Sequence, residues 1–238
     1  MMEDTLNSHA SASDSSAQMP EPLEELQGFI VGPLCTNCYL YESIDNGEHV
    51  GLIIDAGDQG TAIAQHLPQE LHIRYILATH GHNDHVGGVA QLRRLTGARY
   101  GIAAADEDRA LSAQGPDELG YTYEANAPHA DFYLEDSMVL DLGAASFKIM
   151  SVPGHTPGSV IIIGQGKAQG LVFTGDTLFK GSIGRTDLLG GDDRLMQQSL
   201  KRIVRELDPN SHIFPGHGDP SRMYKELEHN PFLQQYKA

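Results

Sequence analysis

Between residues 28 and 54, apolar and polar positions alternate in short runs broken by glycine, proline and charged residues. Phe29-Ile30-Val31, residues 37–41 and residues 49–54 are rich in β-branched and aromatic side chains, the composition of strands. Residues 61–67 read as a short helix and residues 74–78 as a further strand. Over residues 86–95 the period changes, and Val86, Val89, Ala90, Leu92 and Leu95 fall on one helical face. Residues 106–113 are expected to form another helix. A second strand-rich block follows at 138–142, 146–152, 160–164 and 171–174. Asp192-Asp193 then precede Leu195, Met196, Leu200, Ile203, Val204 and Leu207, an acidic helix start followed by an apolar stripe. Residues 212–214 read as a last strand and residues 222–228 as a last helix. Two strand-rich halves, each with helices to cover it, predict an α/β, four-layer αββα sandwich: two mixed sheets face each other and helices lie outside both.

Size and charge narrow the function classes. At 238 residues the chain is near the upper size of one domain. Its start carries Glu3, Asp4, Asp14, Glu21, Glu24 and Glu25, no Lys or Arg, and much Ser and Ala. Residues 1–25 are therefore read as a disordered acidic tail and residues 26–238 as one folded domain. The formal net charge is -16, with Lys and Arg totalling 16 against 32 Asp and Glu. Phosphate backbones and anionic lipid surfaces need clustered cations, so neither nucleic acid nor a membrane is an expected partner. Residues 1–20 lack the basic and apolar regions of a secretory signal, and no apolar run approaches the ~20 residues of a membrane span, which makes the cytoplasm the expected compartment. No feature specifies an oligomeric state. Cys35 and Cys38 are the two cysteines, and they are read as partly buried strand thiols rather than a redox pair.

Twelve histidines are many for this length and raise the question of metal. The most informative stretch is Thr79-His80-Gly81-His82-Asn83-Asp84-His85-Val86-Gly87-Gly88, which leaves an apolar strand and enters a helix. Loops at strand C-termini are where α/β proteins place ligands. In extended chain His80 and His82 project to one side and can grip one cation. The turn at Asp84-His85 can direct those two toward a second, while Gly87 and Gly88 are expected to let the chain turn close to the metals. Two imidazoles do not close a site, since zinc prefers about four ligands with one position left for water. His155, Asp176 and His217 each follow a predicted strand and are flanked by glycine or proline. That repeated context marks them as the remaining ligands. His9, His49, His66, His72, His129, His212 and His229 lack it and are read as non-ligands.

His80-x-His82-x-Asp84-His85, followed in order by His155, Asp176 and His217, resembles the metallo-β-lactamase superfamily over about residues 28–232. The resemblance implies a site between the sheets. It implies that His80, His82 and His155 bind a first metal, that Asp84, His85 and His217 bind a second, and that Asp176 bridges them. Asp at the bridging position resembles the hydrolase branch rather than the true β-lactamases. Further stretches are similar to the short, single-domain glyoxalase II-like group: Thr36-Asn37-Cys38-Tyr39, Asp55-Ala56-Gly57-Asp58, Gly175-Asp176-Thr177-Leu178-Phe179, residues 181–187 and Asn230-Pro231-Phe232. Full-length glyoxalase II carries a C-terminal helical domain that grips glutathione, whereas 21 residues follow His217 here.

The expected activity is therefore dinuclear hydrolysis of a small anionic thioester such as S-lactoylglutathione. Two divalent ions would share a water and lower its pKa toward about 7. Zinc is the expected metal, with iron or manganese also compatible with these donors. Asp84 is expected to hold metal and to assist proton transfer. Lys180 and Arg185 follow Asp176 closely and are expected to bind an anionic substrate group, the competing reading for Arg185 being an ion pair with Asp187. Tyr121 and Tyr123 are candidates to line the pocket. The alternative activity is that of the mononuclear iron persulfide dioxygenases, which resemble this chain at Gly184-Arg185-Thr186-Asp187. A non-catalytic metal protein, a nuclease and a lactonase fit less well, because no ligand is lost, the chain is acidic, and the glyoxalase-like stretches are present.

Overall fold

The computed structural model of the chain describes residues 25–117 and 119–236. The acidic segment read as a disordered tail lies outside these residues except for Glu25, which sits in a turn before the first strand. The first six-stranded sheet comprises β1 (Leu26–Val31), β2 (Thr36–Asp45), β3 (Glu48–Ile54), β4 (His72–Leu77), β5 (Arg99–Ile102) and β6 (Phe132–Tyr133), side by side in that order. Its first three strands form an antiparallel meander, and its last three are added in parallel. The second sheet runs β14-β13-β10-β9-β8-β7, built from β7 (Val139–Leu142), β8 (Ala145–Ser151), β9 (Val160–Gly166), β10 (Leu171–Gly175), β13 (His212–Pro215) and β14 (Ser221–Arg222). A small hairpin, β11 (Leu178–Phe179) and β12 (Ser182–Ile183), follows β10.

The period-2 alternation sorts side chains onto three apolar layers. Along β2 and β3, Tyr39, Tyr41, Leu52 and Ile54 face the second sheet, while Leu40 and Ile53 face outward. Along β8 to β13, Phe147, Ile149, Ile162, Phe173 and Phe214 face inward, and Met150, Ile161, Val172 and Ile213 outward. The outer layers are covered by α1 (Gly60–His66) and α3 (Val89–Thr96) on one side, and by α5 (Asp193–Glu206) and α6 (Met223–His229) on the other. The αββα expectation is met. In α5, Asp192 caps the first turn by accepting from Leu195 N at 2.9 Å, and Met196, Leu200 and Ile203 form the buried stripe. Among the described residues no helix is long and apolar enough to cross a membrane.

Phe173 is the hub of the inner layer. Its ring centroid lies 5.2 Å from Tyr39 and 5.4 Å from Phe214. Phe173→Ala is expected to cost about 3–5 kcal/mol, read from the urea midpoint of the metal-loaded protein. A loss below about 1 kcal/mol would mean that the sheets close over the gap.

Four expectations are corrected. The helix expected over residues 86–95 is two helices, α2 (Asn83–Val86) and α3, because Gly88 N leaves the helical ladder for Ala56 O at 2.9 Å. Gly87 and Gly88 therefore serve packing rather than a turn close to the metals: a Cβ on Gly87 would lie 2.6 Å from the Tyr123 ring, and one on Gly88 2.8 Å from Asp58 O. The helix expected over 106–113 is regular only over α4 (Glu107–Ala110), since Ser112 N and Ala113 N bond three residues back and tighten the chain out of the α form. Cys38 is a buried β2 thiol whose pKa burial raises, whereas Cys35 is exposed in the preceding turn at φ 56, not in a strand.

Candidate metal centre

Strand direction gathers the site. β3 and β4 are parallel, so the loops after both, carrying Asp55 and residues 80–85, emerge at the same end of the first sheet. β8 and β10 run in one direction because each is antiparallel to β9, and β13 is parallel to β10. Their C-terminal loops bring His155, Asp176 and His217 to one end of the second sheet. Two backbone links join the sheets there: Val160 N donates to Thr79 O at 2.9 Å, and Asn37 N donates to Gly216 O at 2.7 Å. All seven predicted ligands meet at this end in three overlapping donor groups: His80/His82/His155, His80/His85/Asp176 and Asp84/His85/His217.

In the first group, His80 Nε2 lies 3.0 Å and His155 Nε2 2.9 Å from His82 Nδ1. These contacts are not ordinary hydrogen bonds, because the protons are committed elsewhere. His155 Nδ1 donates to Arg185 O at 2.8 Å. Thr79 Oγ1 donates to Asp55 Oδ2 at 2.9 Å, which leaves it to accept from His80 Nδ1 at 3.1 Å. Neutral rings so fixed turn Nε2 lone pairs toward a shared centre. Three nitrogens around one ion at about 2.0 Å would lie roughly 3.3 Å apart, close to what is seen. Burial foremost, with the neighbouring imidazoles, lowers His80 and takes His82 to about 3, which keeps both rings neutral near pH 7.

The Asp84/His85/His217 group, called the second group from here on, is the electrostatic opposite. His217 Nε2 lies 3.1 Å from Asp84 Oδ2 and 3.4 Å from His85 Nε2. Burial lowers His85, but Asp84, Asp176 and Asp55 outweigh it and raise its pKa. Burial also lowers His217, yet its bonds to Asp176 and Asp84 raise it to about 9. Burial would raise Asp84, but His85 and the bond from His217 hold it at about 2. These carboxylates demand positive charge nearby, as protons or as a cation. Asp176 spans both groups, with Oδ1 3.4 Å from His85 Nε2 and Oδ2 3.7 Å from His155 Nε2 and 3.5 Å from His217 Nε2. Its buried Oδ1 has no hydrogen-bond donor. Beside it, a Cβ on Gly216 would lie 2.2 Å from Oδ1, so glycine keeps that space open. Five imidazoles, two carboxylates and an orphaned carboxylate oxygen fit divalent metal of the zinc, iron or manganese type.

The supporting shell draws on the Thr36–Tyr39 and Asp55 stretches. Asp55, at φ 57, accepts from Thr79 N at 2.8 Å and lies 3.1 Å from His85 Nδ1, an electrostatic rather than an aligned contact. Thr36 Oγ1 donates to Asp84 Oδ2 at 2.8 Å, and Asn37 Nδ2 and Tyr39 OH hold Pro215 O at 3.1 and 2.8 Å. Asp106 carries no motif signal in the sequence, being one acid in a short helical stretch. It accepts from Gly81 N, Thr156 Oγ1 and Gly158 N, joining the loops of His80 and His155.

A cleft of about 510 Å³ opens over the donors, with Leu34, Pro116, Leu188 and Leu189 on its walls. Arg185 lines it and pairs bidentately with Asp187 at 2.7 and 2.9 Å, so the ion-pair reading is met and the residue stands beside the donors. Lys180 does not line it. Its Nζ holds Asp219 Oδ2 at 2.8 Å on the surface, which removes it from the substrate-binding set. Tyr121 and Tyr123 stay out as well: Tyr121 OH is turned to Asp58 and Tyr123 OH to Asp117, and Asp117 and Pro116 supply their loop's contribution to the cleft.

The family model described as the metallo-beta-lactamase superfamily matches residues 31–217. The hydroxyacylglutathione hydrolase GloC of Haemophilus influenzae is 33% identical over 204 residues, 83% of this chain and 92% of that protein. The crystal structure of TTHA1623 in a di-iron-bound form is 32% identical, with a TM-score of 0.71 over 87% of this chain and 100% of that one. The structure of BLEG-1, titled a B3 metallo-beta-lactamase, is 30% identical, with a TM-score of 0.75 over 87% and 99%.

Proposed function

The chain belongs to the metallo-beta-lactamase superfamily, and on that premise we propose that it is a dinuclear metal-dependent hydrolase of small anionic thioesters, of the S-lactoylglutathione kind. One observation carries the reading: two donor groups of opposite electrostatic character share one carboxylate, Asp176, at the floor of an open cleft. His80, His82 and His155 would hold one ion, Asp84, His85 and His217 the other, with Asp176 common to both. Divalent ions held there supply Lewis acidity and bring the pKa of water toward neutrality.

The chain's own groups do the rest. The bonds from Nδ1 of His155 and His80 fix each ring with Nε2 inward. Asp84 lines the cleft and is ionised at neutral pH, its Oδ2 aligned by Thr36. It is placed to take a proton from the attacking water. As the C–O bond forms and the C–S bond breaks, the sulfur leaves as thiolate, a good leaving group because a thiol has a pKa of about 8.5. Support for the thioester comes from the 33% identity to a named hydroxyacylglutathione hydrolase.

The test is hydrolysis of S-lactoylglutathione by protein loaded with zinc, iron or manganese. Activity is expected to fall at least about a hundredfold on chelation and to return with metal. Oxygen uptake with glutathione persulfide and cleavage of a β-lactam are measured beside it. Oxygen uptake without thioester cleavage would make the chain an iron dioxygenase, and β-lactam cleavage alone would give it the activity named for BLEG-1.

A further inference from the structure

Arg109 stands out in a chain with 32 acids and 16 Lys and Arg. Among the described residues it meets no carboxylate at ion-pair distance, and its guanidinium donates from Nη2 to the Leu189 carbonyl. It lines the cleft together with His82 and His155. Its stem is packed against the metal-site loop, since a Cβ on Gly81 would lie 3.3 Å from Arg109 Cβ. The guanidinium is thus fixed at the mouth of the site with donors to spare, whereas Arg185 already holds Asp187 in both arms.

We propose that Arg109 is a specificity residue that binds a carboxylate on the substrate, and that it takes the place in anion recognition for which Lys180 is misplaced. This rests on the thioester reading. A planar guanidinium pairs with a carboxylate through two parallel N–H···O bonds. Of the cleft's other charged walls, Asp84 and Asp176 belong to the metal-donor set and Arg185 is paired with Asp187, so among the described residues Arg109 has guanidinium donors open to a substrate carboxylate. Leu188 and Leu189, next to the guanidinium, offer the apolar contact that the stem of such a substrate needs.

The experiment compares S-lactoylglutathione with its diethyl ester, which lacks the carboxylates, in the metal-loaded full chain and in Arg109→Gln. S-methylglutathione, a thioether that cannot be cleaved, is titrated into both by calorimetry. Arg109→Gln is expected to raise KM for the free acid on the order of 10- to 100-fold, to weaken S-methylglutathione by a similar factor, and to leave kcat within about threefold. The diethyl ester should be turned over equally well by both proteins. Unchanged KM and binding in Arg109→Gln overturn the proposal, as does an equal loss on the diethyl ester, which would mark a displaced loop. Absence of S-methylglutathione binding to the parent protein overturns it too. If the parent cleaves neither thioester but S-methylglutathione binding still depends on Arg109, the hydrolysis reading falls and the recognition stands. Arg185→Gln is the companion arm: loss of carboxylate discrimination there, and not in Arg109→Gln, assigns the contact to Arg185 and sinks the proposal.

Discussion

Replacing Asp176 with alanine is expected to lower kcat at least about a thousandfold, ~4 kcal/mol of barrier, and to leave about one equivalent of tightly held metal or less. The size follows from position. Asp84 approaches only the second donor group, at 3.1 Å from His217 and 3.5 Å from His85, whereas Asp176 reaches His85, His217 and His155. Removing it leaves the first group as three imidazoles without an anion and disconnects it from the second. It also strips His85 and His217 of one of the carboxylates that raise them. Metal per chain by atomic absorption and kcat on the same preparation check both halves. Full occupancy with wild-type turnover would show that the shared carboxylate is dispensable and would remove the basis for a dinuclear reading. Loss of metal with retained turnover would separate the chemistry from the cluster.

The ligands were legible in the sequence because each is local to a strand end. His80-x-His82-x-Asp84-His85 leaves β4, and His155, Asp176 and His217 follow β8, β10 and β13, so a strand pattern and a flanking glycine sufficed to find them. The β-branched and aromatic runs likewise marked β2, β3, β8 and β10 as strands, but β3 and β10 are buried on both faces and carry no alternation to say which side meets the other sheet. What the sequence hid is non-local. β5 reads Arg99-Tyr100-Gly101-Ile102, too short and mixed to declare itself, and is a strand because β4 offers it a parallel ladder. β6 and β14 are two residues each and exist only as edges. Lys180 and Arg185 are near Asp176 in sequence, but the β11–β12 hairpin between them carries Lys180 out to Asp219 and returns Arg185 to the cleft. Arg109 lies far from every ligand in sequence, and only the packing of α4 against the loop of His80 brings it into view. Proximity along the chain was a sound guide at strand ends and a poor one across a turn.

Asp106→Ala should be the most damaging change outside the seven donors, although its side chain touches none of them. Its Oδ2 accepts from Gly81 N at 2.8 Å and Thr156 Oγ1 at 2.6 Å, and its Oδ1 accepts from Gly158 N at 2.8 Å. Gly81 lies between His80 and His82, and Thr156 and Gly158 follow His155, so one buried carboxylate sets the spacing of the first donor group across two loops. Alanine would strip the buried N–H groups of Gly81 and Gly158 of their acceptor and leave Thr156 Oγ1 with Ser159 Oγ at 2.8 Å. At about 1–3 kcal/mol each and without full additivity, the expected cost is about 3–5 kcal/mol, or ~10 °C in Tm for a domain of this size. The readout that bare destabilisation would not move is metal affinity in the folded state. Groups that hold metal ligands in place typically change it by about 10- to 100-fold. Competition with a chelator well below Tm should show that loss for one metal per chain and a smaller one for the other, because the His217 loop is tied separately, through Leu34, Asn37 and Tyr39. Asp106→Asn is expected to retain Thr156 and one backbone donor and to fall between the two. Equal weakening of both metals would mean that Asp106 acts through general loosening of the fold, and wild-type affinity for both would mean that the loops keep their spacing without it.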